Sequence, residues 1–200
     1  MLHAAVRLAD REGLAALTMR RLGSELGVEA MSLYKHVSDK DDILDGIVER
    51  VVGAIELPVA GGDWRDAMRR RAVSAREVLR THSWAIGLLE ARRSMGPNQL
   101  RYVDTTLGAL RVAGFSIEGA AHAFWLLDSY VYGHVIQETS MAGGGSGGPS
   151  PMEGLGTEYP HLAEVAAHAA AAQAAGSPFS FDAEFQHGLE VILGALEPAP

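Results

Sequence analysis

Residues 17–47 read LTMRRLGSELGVEAMSLYKHVSDKDDILDGI, and their apolar side chains recur with a helical period. Thr18 is a strong N-cap for a short helix that ends at Gly27. A second short helix follows over about Ala30–His36. The apolar side chains expected to hold it against its neighbours are Val28, Leu33 and Val37. Ser38, with an acid three residues later, predicts the cap of a longer helix. A first helix, which stops near Gly13, precedes these elements. Three short helices with a glycine at the second turn, followed by a long helix, are typical of a helix-turn-helix.

The outward side of the second short helix carries side chains that suit DNA. By helical period its outward residues are Met31, Ser32, Lys35 and His36, and Tyr34 lies at the edge of this face. Hydroxyl, cationic and imidazole groups reach base edges or phosphates, and a methionine can contact a thymine methyl. Thr18 and Arg20 lie at the start of the first short helix, where phosphates bind well, and Lys40 opens the long helix. The sequence therefore predicts a DNA-binding face. The alternative is three core-forming helices whose tyrosine and lysines merely face solvent.

Helical periodicity continues through the rest of the chain, with no alternating strand pattern. After breaks at Leu57-Pro58 and Gly61-Gly62, helices are predicted over about 64–80, 83–93, 98–113, 116–139, 160–176 and 181–196. The Gly-, Ser- and Pro-rich stretch 142–159 predicts a flexible loop. We therefore expect an all-α protein with a three-helix domain over residues 1–46 and a helical-bundle domain over residues 47–200.

Charge is distributed unevenly along the chain. All 17 lysines and arginines lie at or before Arg111, and residues 1–111 carry a formal charge of +2. The remaining residues contain ten acids and no base, which gives the whole chain a formal charge of −8. This asymmetry allows a basic face on the first domain although the whole chain is acidic.

Several function classes are excluded or disfavoured by composition and pattern. The chain has no cysteine, which excludes a disulfide framework and a thiolate metal site. No run approaches 18 apolar residues, and the first residues form an amphipathic helix rather than a signal peptide, so we expect a cytoplasmic protein with no membrane partner. Residues 144–148 match the nucleophile-elbow pattern, but that motif needs a strand-to-helix turn. We expect no catalytic residue, no metal site and no cofactor.

The second domain carries aromatic and polar side chains that suit a mid-sized, partly aromatic ligand. The candidate ligand-binding residues are Arg71, Trp84, Arg92, His122, Trp125, Asp128 and Tyr130. If Arg71 turns inward, its charge needs a partner, which an acidic ligand or a neighbouring carboxylate could supply. The alternatives are that the aromatic side chains are plain core and that His122 is a core or interface histidine.

A set of short motifs gives the chain a specific resemblance. The motifs are Leu26-Gly27-Val28-Glu29, Leu33-Tyr34, His36-Val37, Lys40, Leu57-Pro58, Trp64, Gly114-Phe115-Ser116 and the ending Phe185–Glu197. With them the chain resembles the TetR family of bacterial transcriptional repressors and, over nearly its whole length, the tetracycline-repressor subgroup. The resemblance implies a homodimer in which the helices at 116–139 and 180–196 form a four-helix bundle. We expect Leu189 and Ile192 to be buried at that interface.

The same resemblance assigns roles at the DNA and in the core. The implied DNA contacts are Tyr34 and Lys40 to phosphates, Ser32, Lys35 and His36 in the major groove, and Arg20. The core would enclose an inducer, which moves the long fourth helix and spoils the spacing of the two DNA-binding domains. Tetracycline-type repressors carry a metal-ligating histidine and a specific turn after the sixth helix, where this chain has LLEARR at 88–93. A magnesium–tetracycline inducer is therefore not expected.

We interpret the chain as a homodimeric, sequence-specific repressor of transcription that binds double-stranded operator DNA and is released by a small-molecule inducer. One alternative is an all-helical small-molecule carrier or enzyme. Another, within the same family, is an activator or a ligand-independent regulator.

Overall fold

The computed structural model describes residues 1–91, 95–143, 158–177 and 179–198, and the side chains of the second range as far as Met141. The helices are α1 Leu2–Glu12, α2 Met19–Leu26, α3 Ala30–Leu33, α4 Lys40–Val52, α5 Trp64–Thr81, α6 Trp84–Ala91, α7 Pro97–Val112, α8 Ile117–Gly143, α9 Pro160–Ala174 and α10 Phe181–Ala195. These ranges contain no strand, so the all-α prediction is confirmed. No helix within them is both long enough and apolar enough to cross a membrane.

Two apolar cores lie one after the other along the chain. Helices α1–α4 form the head, whose core includes Ala5, Leu8, Leu22, Leu33 and Ile43. The larger core is built by the second half of α4 together with α5–α8 and α10. Helix α4 belongs to both, because Ile47 packs in the head and Val48 packs in the larger core. The predicted domain boundary between residues 46 and 47 lies one residue before this change of core.

The turn between α2 and α3 depends on two glycines. Gly27 ends α2 with a φ of +69°, a conformation that favours glycine. Gly23 allows α3 to approach closely, because a Cβ at this position would lie 2.9 Å from the carbonyl oxygen of Val28. Thr18 begins α2 as the sequence predicts, and its hydroxyl accepts a hydrogen bond from the backbone N–H of Arg21 at 3.1 Å.

Two predictions about α3 are wrong. The helix covers only Ala30–Leu33, and residues 34–36 form a turn in which the N–H of His36 donates to the carbonyl of Leu33. A helix of four residues forms few internal hydrogen bonds, so a further turn gains little stability from the helix itself. No side chain caps this helix. Val28, predicted to point inward, is 44% exposed because the chain leaves α2 through the left-handed Gly27.

The ends of α4 and α8 also differ from the predictions. Asp39, not Ser38, caps α4, and its carboxylate accepts from the N–H of Asp42 at 3.0 Å. The Asp42 carboxylate in turn accepts from the N–H of Ser38 at 2.7 Å, so Ser38 precedes the cap. Helix α8 runs through Gly143, so the first two residues of the predicted 142–159 loop are helical. Residues 144–157 lie outside the described residues.

Helices α8 and α10 pack closely within one chain. The hydroxyl of Tyr130 donates to the carbonyl of Phe185 at 3.0 Å, and the two rings stack. A Cβ at Gly188 would overlap the Tyr130 ring, so this glycine sets the approach of the two helices. Leu189 is fully buried in the same core, and its predicted place at a dimer interface is wrong. Val191, two residues along the helix, is 59% exposed.

Candidate functional site

The side chains that the sequence assigns to DNA contact lie at the surface of the head. Met31 is 71% exposed and Tyr34 is 45% exposed. The other members of the set are the exposed residues Thr18, Arg20, Lys35, His36 and Lys40 and the half-buried Ser32. All eight lie at the surface of the same small domain, on α2, on the α3 turn or at the start of α4.

Ion pairs within the head neutralise some of its charges. The Nη2 atom of Arg21 lies 2.6 Å from a Glu12 carboxylate oxygen, and this hydrogen bond lowers the pKa of Glu12. Arg11 donates two hydrogen bonds to Glu25, at 3.0 and 3.2 Å, and lowers the pKa of Glu25. In the part of the chain that the structure describes, the cations of this face without an ion pair are Arg20, Lys35 and Lys40.

A cavity of about 290 Å³ lies among α4, α6, α7 and α8. Its apolar walls include Val52, Ile55, Leu89, Val103, Phe124 and Trp125. Its polar side chains are Glu90, Gln99, Tyr102, Asp128 and Tyr132. A concave, mostly apolar space with a few polar groups is typical of a small-molecule site. Among the described residues, no three histidine or acidic side chains are placed to hold a metal ion.

A buried ion pair lies at the inner wall of this cavity. Arg71 on α5 is 1% exposed, and its Nη2 donates to the Asp128 carboxylate and, at 2.6 Å, to the Tyr102 hydroxyl. The Tyr102 hydroxyl donates to the same Asp128 oxygen at 3.0 Å. Asp128 is therefore the partner that the buried arginine requires, and of the two predicted sources of that partner the neighbouring carboxylate is the one present.

Burial governs the ionisation of this cluster. It raises the pKa of Asp128, whereas Arg71 and the hydrogen bond from Tyr102 act in the opposite direction by favouring the carboxylate. Burial also raises the pKa of Tyr102 and of Tyr132. Both phenols therefore stay protonated at neutral pH and remain hydrogen-bond donors.

The structure brings some of the predicted ligand-binding residues together and separates others. Trp125 and Asp128 line the cavity, and Arg71 lies directly behind Asp128. The residues that do not line this cavity are Trp84, His122 and Tyr130. Tyr130 faces α10 instead, and His122 is exposed on α8. Arg92 lies outside the described residues.

Trp84 joins the head to the larger core. Its Nε1 donates to an Asp10 carboxylate oxygen at 2.7 Å, and Nδ1 of His82 lies 2.7 Å from the same oxygen. The indole packs against both apolar cores. The tryptophan that begins α6 thus attaches this helix to α1, whereas the other end of α6 contributes Leu89 and Glu90 to the cavity.

Sequence reasoning missed part of the cavity lining. The residues it missed include Glu90, Gln99, Tyr102, Phe124 and Tyr132. One available signal was the spacing of Phe124, Asp128 and Tyr132, which are four residues apart and share one face of a helix. Tyr130 is off that face by two residues. Nothing in the local sequence of α7 indicates that Tyr102 meets Arg71, because that contact depends on how three helices pack.

Glu49 connects α4 to the wall of the cavity. Its carboxylate accepts from the backbone N–H of Asn98 at 2.7 Å and from that of Gln99 at 3.2 Å, at the start of α7. The amide of Asn98 also donates to the Glu49 carbonyl at 3.0 Å. A carboxylate at a helix N-terminus is favourable because it satisfies free N–H groups. These hydrogen bonds thus fix α4, which belongs to both the head and the larger core, to α7, which carries Gln99 and Tyr102.

Known protein families match both the head and the larger core of this chain. The family described as "Bacterial regulatory proteins, tetR family" matches residues 1–47, and "Tetracyclin repressor-like, C-terminal domain" matches residues 57–198. The chain belongs to the TetR family. The head core of this TetR-family chain falls entirely within the first match. Residues 48–56, between the two matches, are the part of α4 and the following turn that enter the larger core.

Individual relatives agree with this assignment. An HTH-type transcriptional regulator of Saccharopolyspora erythraea is 40% identical over 140 residues, which are 70% of this chain and 59% of that protein. The HTH-type transcriptional repressor DrrR1 of Streptomyces coeruleorubidus is 35% identical over 135 residues, which are 66% of this chain and 50% of that protein. The chain thus matches less than two thirds of the length of these two relatives.

Among solved structures, the Streptomyces coelicolor TetR family protein ActR in complex with actinorhodin superimposes with a TM-score of 0.76. The two proteins are 28% identical, and the match covers 98% of this chain and 93% of that one.

Proposed function

We propose that this TetR-family chain is a homodimeric repressor that binds operator DNA through its head and is released by a small molecule in the cavity. The observation that carries the proposal is the position of α4. Lys40 opens this helix at the DNA-facing surface, and Val52 at its other end lines the cavity. Thirteen helical residues span about 20 Å, so a displacement at the cavity is passed to the head by one rigid element.

The DNA contacts in this proposal follow from the exposed face of the head. Tyr34 and Lys40 bind phosphates, and Arg20 with Thr18 adds contacts at the N-terminus of α2, where backbone N–H groups favour anions. The residues proposed to read bases are Met31, Ser32, Lys35 and His36. The exposure of Met31, Lys35 and His36 supports this assignment. A repressor acts where the chromosome is, so the proposal includes a cytoplasmic location.

The ligand in this proposal occupies the cavity against Trp125 and Asp128. ActR, with the same fold, has been seen with the small molecule actinorhodin, which supports a ligand role for the core. A molecule placed here touches Gln99 on α7 and Val52 on α4. The Glu49 carboxylate on α4 joins these two helices by accepting from the N–H of Gln99. If the ligand binds more tightly to one position of the head relative to the larger core, its binding raises the population of that position.

The dimer in this proposal uses the outer faces of α8 and α10. Large apolar side chains are exposed there at Leu126, Ile136 and Val191. Exposed apolar surface that continues over two neighbouring helices is typical of an interface. Two heads held by such an interface would bind two half-sites.

A mobility-shift titration tests the function directly. The probe is duplex DNA from the region upstream of the gene that encodes this chain, and the control is the same length of scrambled sequence. We expect the upstream fragment to bind more tightly and its affinity to fall steeply with salt, because phosphate contacts release counterions. Equal binding of both fragments would contradict the proposal and favour the small-molecule carrier. A transcription assay on the same promoter separates a repressor, which lowers transcript, from an activator.

A further inference from the structure

Among the described residues, the ionisable side chains that line the cavity are acidic or phenolic. Glu90 and Asp128 contribute carboxylates, and Tyr102 and Tyr132 contribute hydroxyls. No lysine, arginine or histidine is among the described residues that line it. Among the described lining residues, an anionic ligand would therefore meet the Glu90 carboxylate and no cationic side chain, which is unfavourable in a partly desolvated space.

Arg71 does not add a positive charge to the lining of the cavity. Its charge is already neutralised by Asp128, and its side chain does not line the cavity. The guanidinium carbon lies 4.8 Å from the Tyr102 ring centroid and 5.5 Å from that of Phe124, and both of these residues line the cavity. Within the part of the chain that the structure describes, the Nε and Nη1 atoms of Arg71 are buried and have no hydrogen-bond partner.

The outer part of the cavity combines a carboxylate with aromatic rings. Glu90 is exposed, and Trp125 is 66% exposed although it lines the cavity. Trp125 stands edge-on to Phe124, with ring centroids 5.6 Å apart. Aromatic rings attract cations over their faces, and a nearby carboxylate adds a charge-assisted hydrogen bond for an ammonium group. The apolar side chains of the lining, such as Val52, Leu89 and Val103, suit a flat hydrocarbon frame.

We propose that the ligand of this cavity is a planar aromatic molecule bearing a protonated amine, and that Glu90 with the Trp125 ring binds the amine. The inference rests on the proposed function, because it names the ligand class of the same cavity. It also makes Glu90 the residue that selects for charge, since the Asp128 carboxylate already accepts hydrogen bonds from Arg71 and Tyr102.

Three anthracenes of nearly equal size and different charge test the inference. They are 9-(aminomethyl)anthracene, which is cationic at pH 7, neutral 9-anthracenemethanol and anionic 9-anthracenecarboxylate. Binding to the full chain is measured by calorimetry at a fixed salt concentration. We expect the cation to bind about tenfold more tightly than the neutral probe, in line with an additional cation–π and ionic contact, and the anion to bind most weakly.

The variant Glu90→Gln keeps the shape of the side chain and removes its charge. We expect it to weaken the cationic probe severalfold and to leave the neutral probe unchanged. The matched control is Glu118→Gln, at an exposed acid on the first turn of α8 that does not line the cavity, and it should change neither. Circular dichroism on both variants verifies the fold.

The possible outcomes separate this inference from the proposed function. Tightest binding of the anionic probe, equal loss of all probes in Glu90→Gln, or no saturable binding of the cation would overturn the amine assignment. Operator binding by the same preparations is measured independently by mobility shift. If the operator is bound and the charge order fails, the ligand class is wrong and the repressor proposal stands. If the operator is not bound, the repressor proposal fails whatever the probes do.

Discussion

Asp128 neutralises the guanidinium of Arg71, and both side chains are almost fully buried. We predict that Asp128→Ala lowers the free energy of unfolding by about 3–5 kcal/mol, because it leaves a buried charge without its counterion. Urea denaturation followed by circular dichroism measures this change. The double variant Arg71→Met, Asp128→Leu should recover most of the loss, since an apolar pair of similar volume removes the unpaired charge. An Asp128→Ala protein of unchanged stability would show that the pair contributes nothing.

Lys35 and Lys40 are both exposed lysines of the head, and each serves as the control for the other. We predict that Lys40→Ala weakens binding to all DNA sequences by a similar factor and lowers the salt slope by about 1 per head, as expected for a phosphate contact. Lys35→Ala should change which bases are preferred, because the residue is expected in the major groove. Competitive selection from a randomised duplex library at one salt concentration distinguishes the two effects. An unchanged base preference in Lys35→Ala would contradict the assignment.

The close approach of α3 to α2 depends on the missing Cβ of Gly23, which would otherwise meet backbone atoms. We predict that Gly23→Ala lowers stability by about 1–3 kcal/mol through overpacking against the Val28 carbonyl, and that it weakens operator binding. The control is Gly108→Ala on α7, where the added Cβ meets no atom within 4 Å. That substitution should leave DNA binding unchanged and stabilise the helix by up to about 1 kcal/mol. Thermal melts and mobility shifts on both variants provide the comparison.

The junction of α4 with α7 depends on the Glu49 carboxylate. We predict that Glu49→Gln speeds hydrogen exchange at the backbone amides of Asn98 and Gln99, because a neutral acceptor binds these N–H groups less strongly. Exchange followed by mass spectrometry measures the change. Glu77→Gln, at an exposed position on α5, is the control and should not alter exchange there. Unchanged protection in Glu49→Gln would mean that α7 holds its first turn without α4.

At the level of the whole molecule, assembly is predicted to depend on the exposed apolar face of α8 and α10. Val191→Glu should shift the chain from dimer to monomer in sedimentation and weaken operator binding, because a charge placed in a buried apolar interface lacks a partner. Val59→Glu, at a 72% exposed valine in the turn between α4 and α5, is the matched control and should remain dimeric. A Val191→Glu protein that sediments as a dimer would place the interface elsewhere.

The sequence by itself determined the helices, the helix-turn-helix and the family. These features rest on local signals: the apolar period, the Thr18 cap, the left-handed Gly27 and the breaks before α5. The exposed face of the head was also predictable. The local apolar period shows which side of a helix points away from the core, and no knowledge of distant contacts is needed to identify that side. The same local logic was wrong at the ends of α3 and α4, where one hydrogen bond decides the boundary.

Only the tertiary structure decided which side chains meet. A helical period tells which face of a helix is buried, but it does not tell which neighbour that face meets. Arg71 and Asp128 are 57 residues apart in sequence and meet only because α5 and α8 pack together, with Tyr102 arriving from α7. For the same reason Trp84 contacts Asp10 of the head rather than the cavity, and Leu189 is buried inside one chain rather than between two.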